Sequence, residues 1–119
     1  IDTISAGVSI AFTMEASEKG LLKNYKIEWG DSKKMIELLK MIANREGIGN
    51  ILAEGVKYAS EKIGGSSFAM HIKGQEIPMH EPRGKKGLGL SYATSPRGAC
   101  HLQTMHDDDY ASEDQISLK

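Results

Sequence analysis

Apolar residues recur at helical spacing near the start of the chain, and polar capping residues and glycines bound the periodic stretch. Asp2 or Thr3 can begin a helix here, because a short side-chain oxygen accepts a hydrogen bond from one of the unpaired N–H groups of the first turn. Gly20 supplies a stop. The apolar positions between these limits are Ile4, Val8, Ala11 and Phe12. The pattern therefore predicts a first helix up to Gly20.

Two further periodic stretches follow. The second opens at Asp31 or Ser32 and is broken by Gly47 and Gly49. Its buried stripe is expected to comprise Met35, Leu38, Leu39 and Ile42. The third is expected to be capped by Asn50 and ended by Gly64-Gly65, with a stripe formed by Leu52, Val56, Ala59 and Ile63. Trp29 is predicted to pack at the start of the second helix. The first half of the chain thus predicts three helices.

The second half has a different pattern. Phe68, Met70 and Ile72 alternate with polar residues, which predicts a short strand, and Gly74-Gln75 is expected to turn it back. A short helix is expected around Leu88, Leu90, Tyr92 and Ala93, ending before Pro96. The predicted fold class is mainly α, a multihelical array segment with a short β strand or hairpin near residues 67–78. We expect residues 1–119 to form a single partial domain.

Charge and composition exclude several kinds of partner. Fifteen Lys and Arg residues against sixteen Asp and Glu residues give a net charge of -1, so no basic surplus draws the chain to nucleic acid or to a membrane surface. Its apolar runs are far shorter than the roughly twenty residues needed to span a bilayer. A single cysteine, Cys100, excludes an internal disulfide and fits a reducing, cytoplasmic setting. The first residue is Ile1 rather than Met, so we expect an internal piece of a longer protein.

The glycine-rich stretch 83–101 holds the side chains with the clearest chemical potential. Arg97 can fork onto phosphate or pterin oxygens, and His101 can carry protons near neutral pH. The structural alternative is a surface arginine, a hydrogen-bonded histidine and a buried Cys100 acting as a small hydrophobe, packed in a tight turn. The residues taken alone favour that alternative.

Two other ligand sites are weaker alternatives. His101, His106 and the run Asp107-Asp108-Asp109 offer imidazole and carboxylate ligands for a divalent metal, but the histidine spacing does not place both on one helix face. A run of Asp is more often a helix-capping turn. The segment 84–89, GKKGLG, superficially matches a phosphate loop, but the Gly-Lys-Ser/Thr ending is missing.

A series of short segments, in one order and register, carries a more specific signal. They include Asp2-Thr3-Ile4-Ser5, Ala43-Asn44-Arg45-Glu46-Gly47-Ile48-Gly49, Leu52-Ala53-Glu54-Gly55, Lys73-Gly74-Gln75-Glu76-Ile77-Pro78, Gly89-Leu90-Ser91-Tyr92-Ala93-Thr94 and Arg97-Gly98-Ala99-Cys100-His101. Together they make the chain resemble the aldehyde ferredoxin oxidoreductases, a family of tungsten or molybdenum bis-pterin enzymes. The match runs from the first residue to about Leu102.

The resemblance implies an enzyme that oxidises an aldehyde, with water, to a carboxylic acid. Electrons would pass from the tungsten (or molybdenum) bis-pterin through a 4Fe–4S cluster to ferredoxin, and a homodimer of the parent is compatible with it. His101 matches the family's catalytic histidine beside the metal, and Arg97 matches a pterin-contacting arginine. Ile1, through its backbone, and Asp2 fall at the end of a pterin-binding turn. No residue of this chain is expected to ligate the metal.

The chain departs from the family pattern at informative positions. The cluster ligands lie outside it, and Cys100 does not correspond to one of them. Gln103 stands where some members place a pterin-contacting lysine, and Ile36 where well-known members carry a histidine for an iron between subunits. We therefore expect the chain to be inactive without the rest of its parent polypeptide. A non-enzymatic helical scaffold domain and a small His/Asp metal-binding module remain as alternatives.

Overall fold

The computed structural model describes residues 1–103 and residue 107. Its elements in chain order are α1 (Thr3–Glu18), α2 (Ser32–Asn44), α3 (Ile48–Leu52), α4 (Val56–Ile63), β1 (His71–Ile72), β2 (Gln75–Glu76), α5 (Lys86–Thr94) and a short 3-10 helix (His101–Gln103). β1 and β2 pair antiparallel, with His71 opposite Glu76 and Ile72 opposite Gln75. The predicted fold class, mainly α with a short hairpin, is confirmed. No helix among these residues is long and apolar enough to cross a membrane.

Most of the buried apolar side chains form one cluster among α1, α2, α3 and α4. Its members are Ile10, Phe12, Met14, Ala16, Ile27, Leu38, Ile42, Leu52, Val56 and Ala59. A smaller cluster joins Leu88 and Tyr92 of α5 to Ala99, and Ile72 and Ile77 from the hairpin region pack against it. The hairpin therefore braces the segment that follows α5.

The first two helices begin at the predicted caps. Asp2 Oδ1 accepts a hydrogen bond from the Ser5 N–H at 2.7 Å, and Asp31 Oδ1 accepts one from the Lys34 N–H at 3.0 Å. Each contact satisfies a backbone donor that the helix itself leaves unpaired. Local sequence is sufficient to place these starts.

The predicted third helix is divided into α3 and α4, and Asn50 lies inside α3 instead of capping it. The break occurs at Gly55, whose φ of 89° is incompatible with a continuous helix. The periodic stripe survives because both short helices turn their apolar side chains toward the same core. The pattern predicted the buried face correctly and the continuity of the helix wrongly.

The buried stripe predicted for α2 needs correction. Leu38 and Ile42 are buried, but Met35 and Leu39 are 40% and 37% exposed.

The hairpin turn and Trp29 also differ from their predictions. The hairpin turns at Lys73-Gly74, where both residues have positive φ (57° and 93°), one position before the predicted Gly74-Gln75 turn. Two residues of positive φ match the twist of the paired strands. Trp29 is 56% exposed, and its indole N–H donates to Glu18 Oε2 at 3.0 Å, so it does not pack as a buried anchor for α2.

Candidate functional site

Three of the four predicted site residues line one pocket of about 200 Å³. Asp2 reaches it from the start of α1, and Arg97 and His101 reach it from the segment after α5. Ile1 lies on a neighbouring pocket of about 430 Å³, which Asp2 also lines. The fold thus brings residues from opposite ends of the described chain to one place. We call the smaller cavity the Arg97–His101 pocket.

Gly98 holds the Arg97–His101 segment against the hairpin. Its φ is 89°, and a Cβ atom at this position would lie 2.1 Å from the carbonyl oxygen of Ile72. A side chain is therefore excluded by both the backbone conformation and the close approach. Lys73 Nζ adds a hydrogen bond to the carbonyl oxygen of Ser95 at 2.6 Å. The wall of the pocket is fixed by β1 and its turn.

Arg97 presents an exposed side chain at this pocket. Its backbone N–H donates to Ser95 Oγ at 3.2 Å, which fixes the main chain but leaves the guanidinium out of that contact. Within residues 1–103 and 107, the ion pairs involve other cations and none includes Arg97. The guanidinium is thus exposed at the pocket and makes no ion pair with the described residues.

His101 begins the 3-10 helix and is partly buried. Its ring lies against the ring of His80, with centroids 4.9 Å apart and planes at 31°. Tyr92 supports His80 from behind, because its hydroxyl donates to the His80 carbonyl oxygen at 3.3 Å. Burial raises the pKa of Tyr92, with a smaller contribution from Cys100, which keeps the hydroxyl a neutral donor.

The sequence did not indicate the pairing of these two histidines. His80 lies in a proline-flanked stretch with no chemical motif around it, so nothing in the sequence marks it as a neighbour of His101. The contact with His101 arises from tertiary packing between separate segments. No local signal predicts it.

Asp2 has a structural task of its own. The bond from the Ser5 backbone N–H lowers the pKa of the Asp2 carboxyl below its usual 3.8. One carboxylate oxygen of Asp2 therefore caps α1. The residue also lines both pockets. Ile1 is 67% exposed.

Glu76 is a site residue that the sequence reasoning missed. Its side chain is only 6% exposed and lines both pockets. Oε1 accepts a hydrogen bond from the Val56 N–H at 2.7 Å, and Oε2 accepts one from Ser5 Oγ at 2.9 Å. Glu76 lies opposite His71, a polar position in the alternating pattern of the strand, so the pattern did not indicate that it is buried. Its hydrogen-bond partners, Ser5 and Val56, lie far from it in the chain, so no local sequence pattern indicates these contacts.

The structure bears differently on the other interpretations: a buried cysteine, a phosphate loop and a metal-binding module. Cys100 is buried at 4% exposure, as the small-hydrophobe interpretation expected. Asp107 accepts hydrogen bonds from the Gly87 and Leu88 N–H groups at the start of α5, so these donors are not available to a phosphate. His106, Asp108 and Asp109, which the metal-module alternative requires, lie outside the described residues. Among the residues that are described, no group of three His, Cys, Asp or Glu is placed to hold a metal ion.

Comparison with known proteins gives one consistent result. Residues 1–116 match the family model described as aldehyde ferredoxin oxidoreductase, domains 2 and 3. Tungsten-containing aldehyde ferredoxin oxidoreductases are 41% identical in Pyrococcus horikoshii and 39% identical in Pyrococcus furiosus, each over 87% of this chain and 18% of the relative. An aliphatic sulfonate oxidoreductase, WOR-like subunit, of Pyrococcus furiosus is 34% identical over 87% of this chain and 19% of the relative.

The chain spans less than a fifth of the length of these curated relatives. Within that span, the family match covers the start of α1, the hairpin and the Arg97–His101 segment, all of which line the pocket. The chain therefore belongs to the aldehyde ferredoxin oxidoreductase family, in the region of domains 2 and 3.

Proposed function

We propose that this chain is a partial domain, residues 1–119, of a tungsten- or molybdenum-pterin oxidoreductase, and that the Arg97–His101 pocket forms one wall of its active site. The reaction is oxidation of an aldehyde with water to a carboxylic acid, which releases two electrons and two protons. The observation that carries the proposal is the convergence of Asp2, Arg97 and His101 on one pocket in a chain of this family.

The pocket suits the edge of a pterin better than a bare metal ion. A pterin edge presents several hydrogen-bond acceptors and donors, and this pocket offers a guanidinium, an imidazole and a carboxylate within about 200 Å³. Arg97 has no ion pair within the described residues that a pterin would have to break. Among the described residues, no three His, Cys, Asp or Glu side chains lie close enough together to hold a metal ion, so the proposal does not include metal ligation by this chain.

Arg97 is assigned to cofactor binding. Its planar, permanently charged guanidinium donates two parallel hydrogen bonds in a fixed geometry, which suits the oxygen and nitrogen edge of a pterin or a phosphate. The turn around Gly98 fixes the direction in which the side chain leaves the backbone. Ile1 and Asp2 would contact the cofactor from the other side of the pocket. Ile1 would do so through its backbone, and Asp2 from its position at the start of α1.

His101 is assigned to proton transfer. An imidazole nitrogen of His101 can accept a proton released as the aldehyde becomes an acid, and can pass it on to solvent because the side chain is only partly buried. The face of the ring is held by His80, so the imidazole keeps one orientation in the pocket. When bound, the metal–pterin group supplies the two-electron chemistry.

The remaining parts of the proposal concern the rest of the parent polypeptide. A 4Fe–4S cluster with ligands outside this chain would carry electrons to ferredoxin, in the cytoplasm, and the parent is free to form a homodimer. An isolated chain of this length is expected to be inactive. The family match is the support for these parts of the proposal.

The sulfonate-named relative supports a second candidate substrate. At 34% identity it is more distant than the tungsten-containing enzymes named for aldehydes, but it covers a similar share of this chain. An exposed cation such as Arg97 at the pocket would also suit a sulfonate anion. Aldehyde remains the first substrate class to test.

The test uses the complete polypeptide that carries this sequence, produced in medium containing tungstate or molybdate. Metal and pterin content are measured, followed by reduction of a viologen dye with a panel of aldehydes and aliphatic sulfonates. We expect stoichiometric metal and aldehyde-dependent dye reduction. A complete polypeptide without pterin, or a 119-residue chain that oxidises aldehydes by itself, would refute the proposal.

A further inference from the structure

Glu76 is a buried carboxylate between the two walls of the Arg97–His101 pocket. We propose that it is a positioning residue, which sets the Asp2 end of α1 at a fixed place relative to Arg97 and His101. This inference rests on the proposed function, because that spacing matters only if these residues meet a cofactor together. Glu76 acts through other residues and touches no reacting atom in this proposal.

One oxygen of Glu76 holds the start of α1. Oε2 accepts a hydrogen bond from Ser5 Oγ at 2.9 Å, while the Ser5 backbone N–H donates to Asp2 Oδ1 at 2.7 Å. Ser5 therefore joins the helix cap to the hairpin through two different groups of one residue. A shift of Glu76 would move Ser5, and Asp2 with it.

The other oxygen of Glu76 holds the start of α4. Oε1 accepts from the Val56 N–H at 2.7 Å, where the residue before the helix, Gly55, has no side chain to cap it. A Cβ atom on Gly55 would lie 2.7 Å from Oε1, so the glycine leaves room for the carboxylate. A charged acceptor on a helix N–H makes a strong bond, aided by the helix dipole. With both oxygens held, the carboxylate has little freedom to rotate.

The hairpin that carries Glu76 also holds the opposite wall. Ile72, paired with Gln75 in the ladder, is in close contact with Gly98, and Lys73 bonds the carbonyl oxygen of Ser95. The chain of contacts therefore runs from α1 through Glu76 and the hairpin to the Arg97–His101 segment. No other described residue lines both pockets while bonding to two helices.

A purely structural role for Glu76 makes a different prediction, namely a loss of stability without a specific effect on the pocket. The comparison uses three variants of the complete polypeptide: Glu76→Ala, Glu76→Gln and Asp31→Ala. Glu76→Gln can keep both contacts, because its amide oxygen accepts from Val56 and its NH₂ group donates to Ser5. Asp31→Ala is the matched control, since it removes the side-chain cap of α2, and Asp31 lines neither pocket.

Two readouts separate the roles: the metal-to-protein ratio, and backbone hydrogen exchange at residues 1–6 and 97–103. We expect Glu76→Ala to lower metal content several-fold and to speed exchange at both segments by about tenfold. Glu76→Gln should remain close to the unsubstituted protein. Asp31→Ala should lower the unfolding temperature without either effect. Equal behaviour of Glu76→Ala and Asp31→Ala in both readouts would overturn the inference.

Two further measurements keep the test decisive. If Glu76→Ala does not fold, Ser5→Ala removes the α1 contact alone and should show smaller changes in the same direction, whereas unchanged metal content and exchange would overturn the inference. If the unsubstituted polypeptide holds neither tungsten nor molybdenum, the proposed function fails. In that case the exchange measurement still tests whether Glu76 couples the two walls.

Discussion

At the scale of single residues, the account depends on two side chains with different tasks. Arg97 is exposed and makes no ion pair within the described residues, whereas His101 is partly buried and lies against another imidazole. A group that binds a cofactor has to meet it directly, and a group that moves protons has to hold one orientation. Substitutions at these two residues should therefore have separable effects.

Replacing His101 with Asn should lower the turnover of the complete enzyme by about 10²- to 10⁴-fold, the usual contribution of a positioned acid–base group. Metal and pterin content should stay near normal. The control is His71→Asn, because His71 Nδ1 accepts from the Gly74 N–H in the hairpin and does not line the pocket. Steady-state kinetics with a viologen acceptor measures both. Equal losses in the two variants would argue against proton transfer by His101.

Replacing Arg97 with Ala should reduce pterin retention, and Arg97→Lys should rescue it only partly, because an ammonium group lacks the planar fork of a guanidinium. Arg83→Ala is a suitable control, since Arg83 is exposed and pairs with Glu81. Pterin released on denaturation, measured by fluorescence, gives the ratio to protein. Full retention in Arg97→Ala would exclude Arg97 from cofactor binding.

At the scale of elements, the starts of the helices and the hairpin turn decide where the site residues stand. α1 begins at Asp2, α4 begins where Glu76 supplies a cap, and Gly98 lets the Arg97–His101 segment approach β1. Each of these junctions is a short contact between backbone and one side chain or one carbonyl. Small changes there should have large local effects.

Removal of the Asp2 cap should show a defined pH dependence. The lowered pKa of Asp2 means that its contribution to stability is present above its usual value of 3.8 and is lost as the pH falls through the lowered pKa. Asp2→Ala should cost about 1 kcal/mol near neutral pH, with the difference from the unsubstituted protein shrinking in acid. Asp2→Asn should cost less, because an amide oxygen also caps. Denaturant unfolding at several pH values measures this, and a pH-independent difference would contradict it.

Substitution of Gly98 should be far more harmful than substitution of another glycine. Gly98→Ala places a Cβ atom 2.1 Å from the Ile72 carbonyl oxygen at a φ of 89°, and should destabilise by more than about 3 kcal/mol. Gly7→Ala is the control, since Gly7 lies in α1 and a Cβ atom added there would have no atom of another element within 4 Å; it should stabilise by about 0.5–1 kcal/mol. Thermal unfolding compares the two. Similar effects would show that the turn at Gly98 is not constrained as described.

Sequence patterns predicted the elements that depend on near neighbours. The starts of α1 and α2, the position of α5 and the hairpin region followed from caps and periodicity. The break at Gly55 was missed because the cap of α4 comes from Glu76. The contact between His80 and His101 was also missed, because it is a tertiary contact between separate segments and neither local sequence indicates it. The roles assigned to Ile1, Asp2, Arg97 and His101 remain predictions.

At the scale of the whole molecule, the chain exposes apolar side chains that a larger protein would cover. Met79 is 96% exposed and Leu102 is 81% exposed, the latter on the Arg97–His101 pocket itself. The curated relatives are more than five times longer than the matched span. Both facts support the proposal that the chain works as a part of a larger oxidoreductase, with the rest of the polypeptide closing the pocket.

The most direct test of this account is anomalous diffraction from crystals of the complete polypeptide, recorded at the tungsten and molybdenum absorption edges. The account predicts one strong peak beside the pocket lined by Asp2, Arg97 and His101, with pterin density in contact with Arg97. A peak remote from His101, or pterin held without Arg97 and the start of α1, would contradict it.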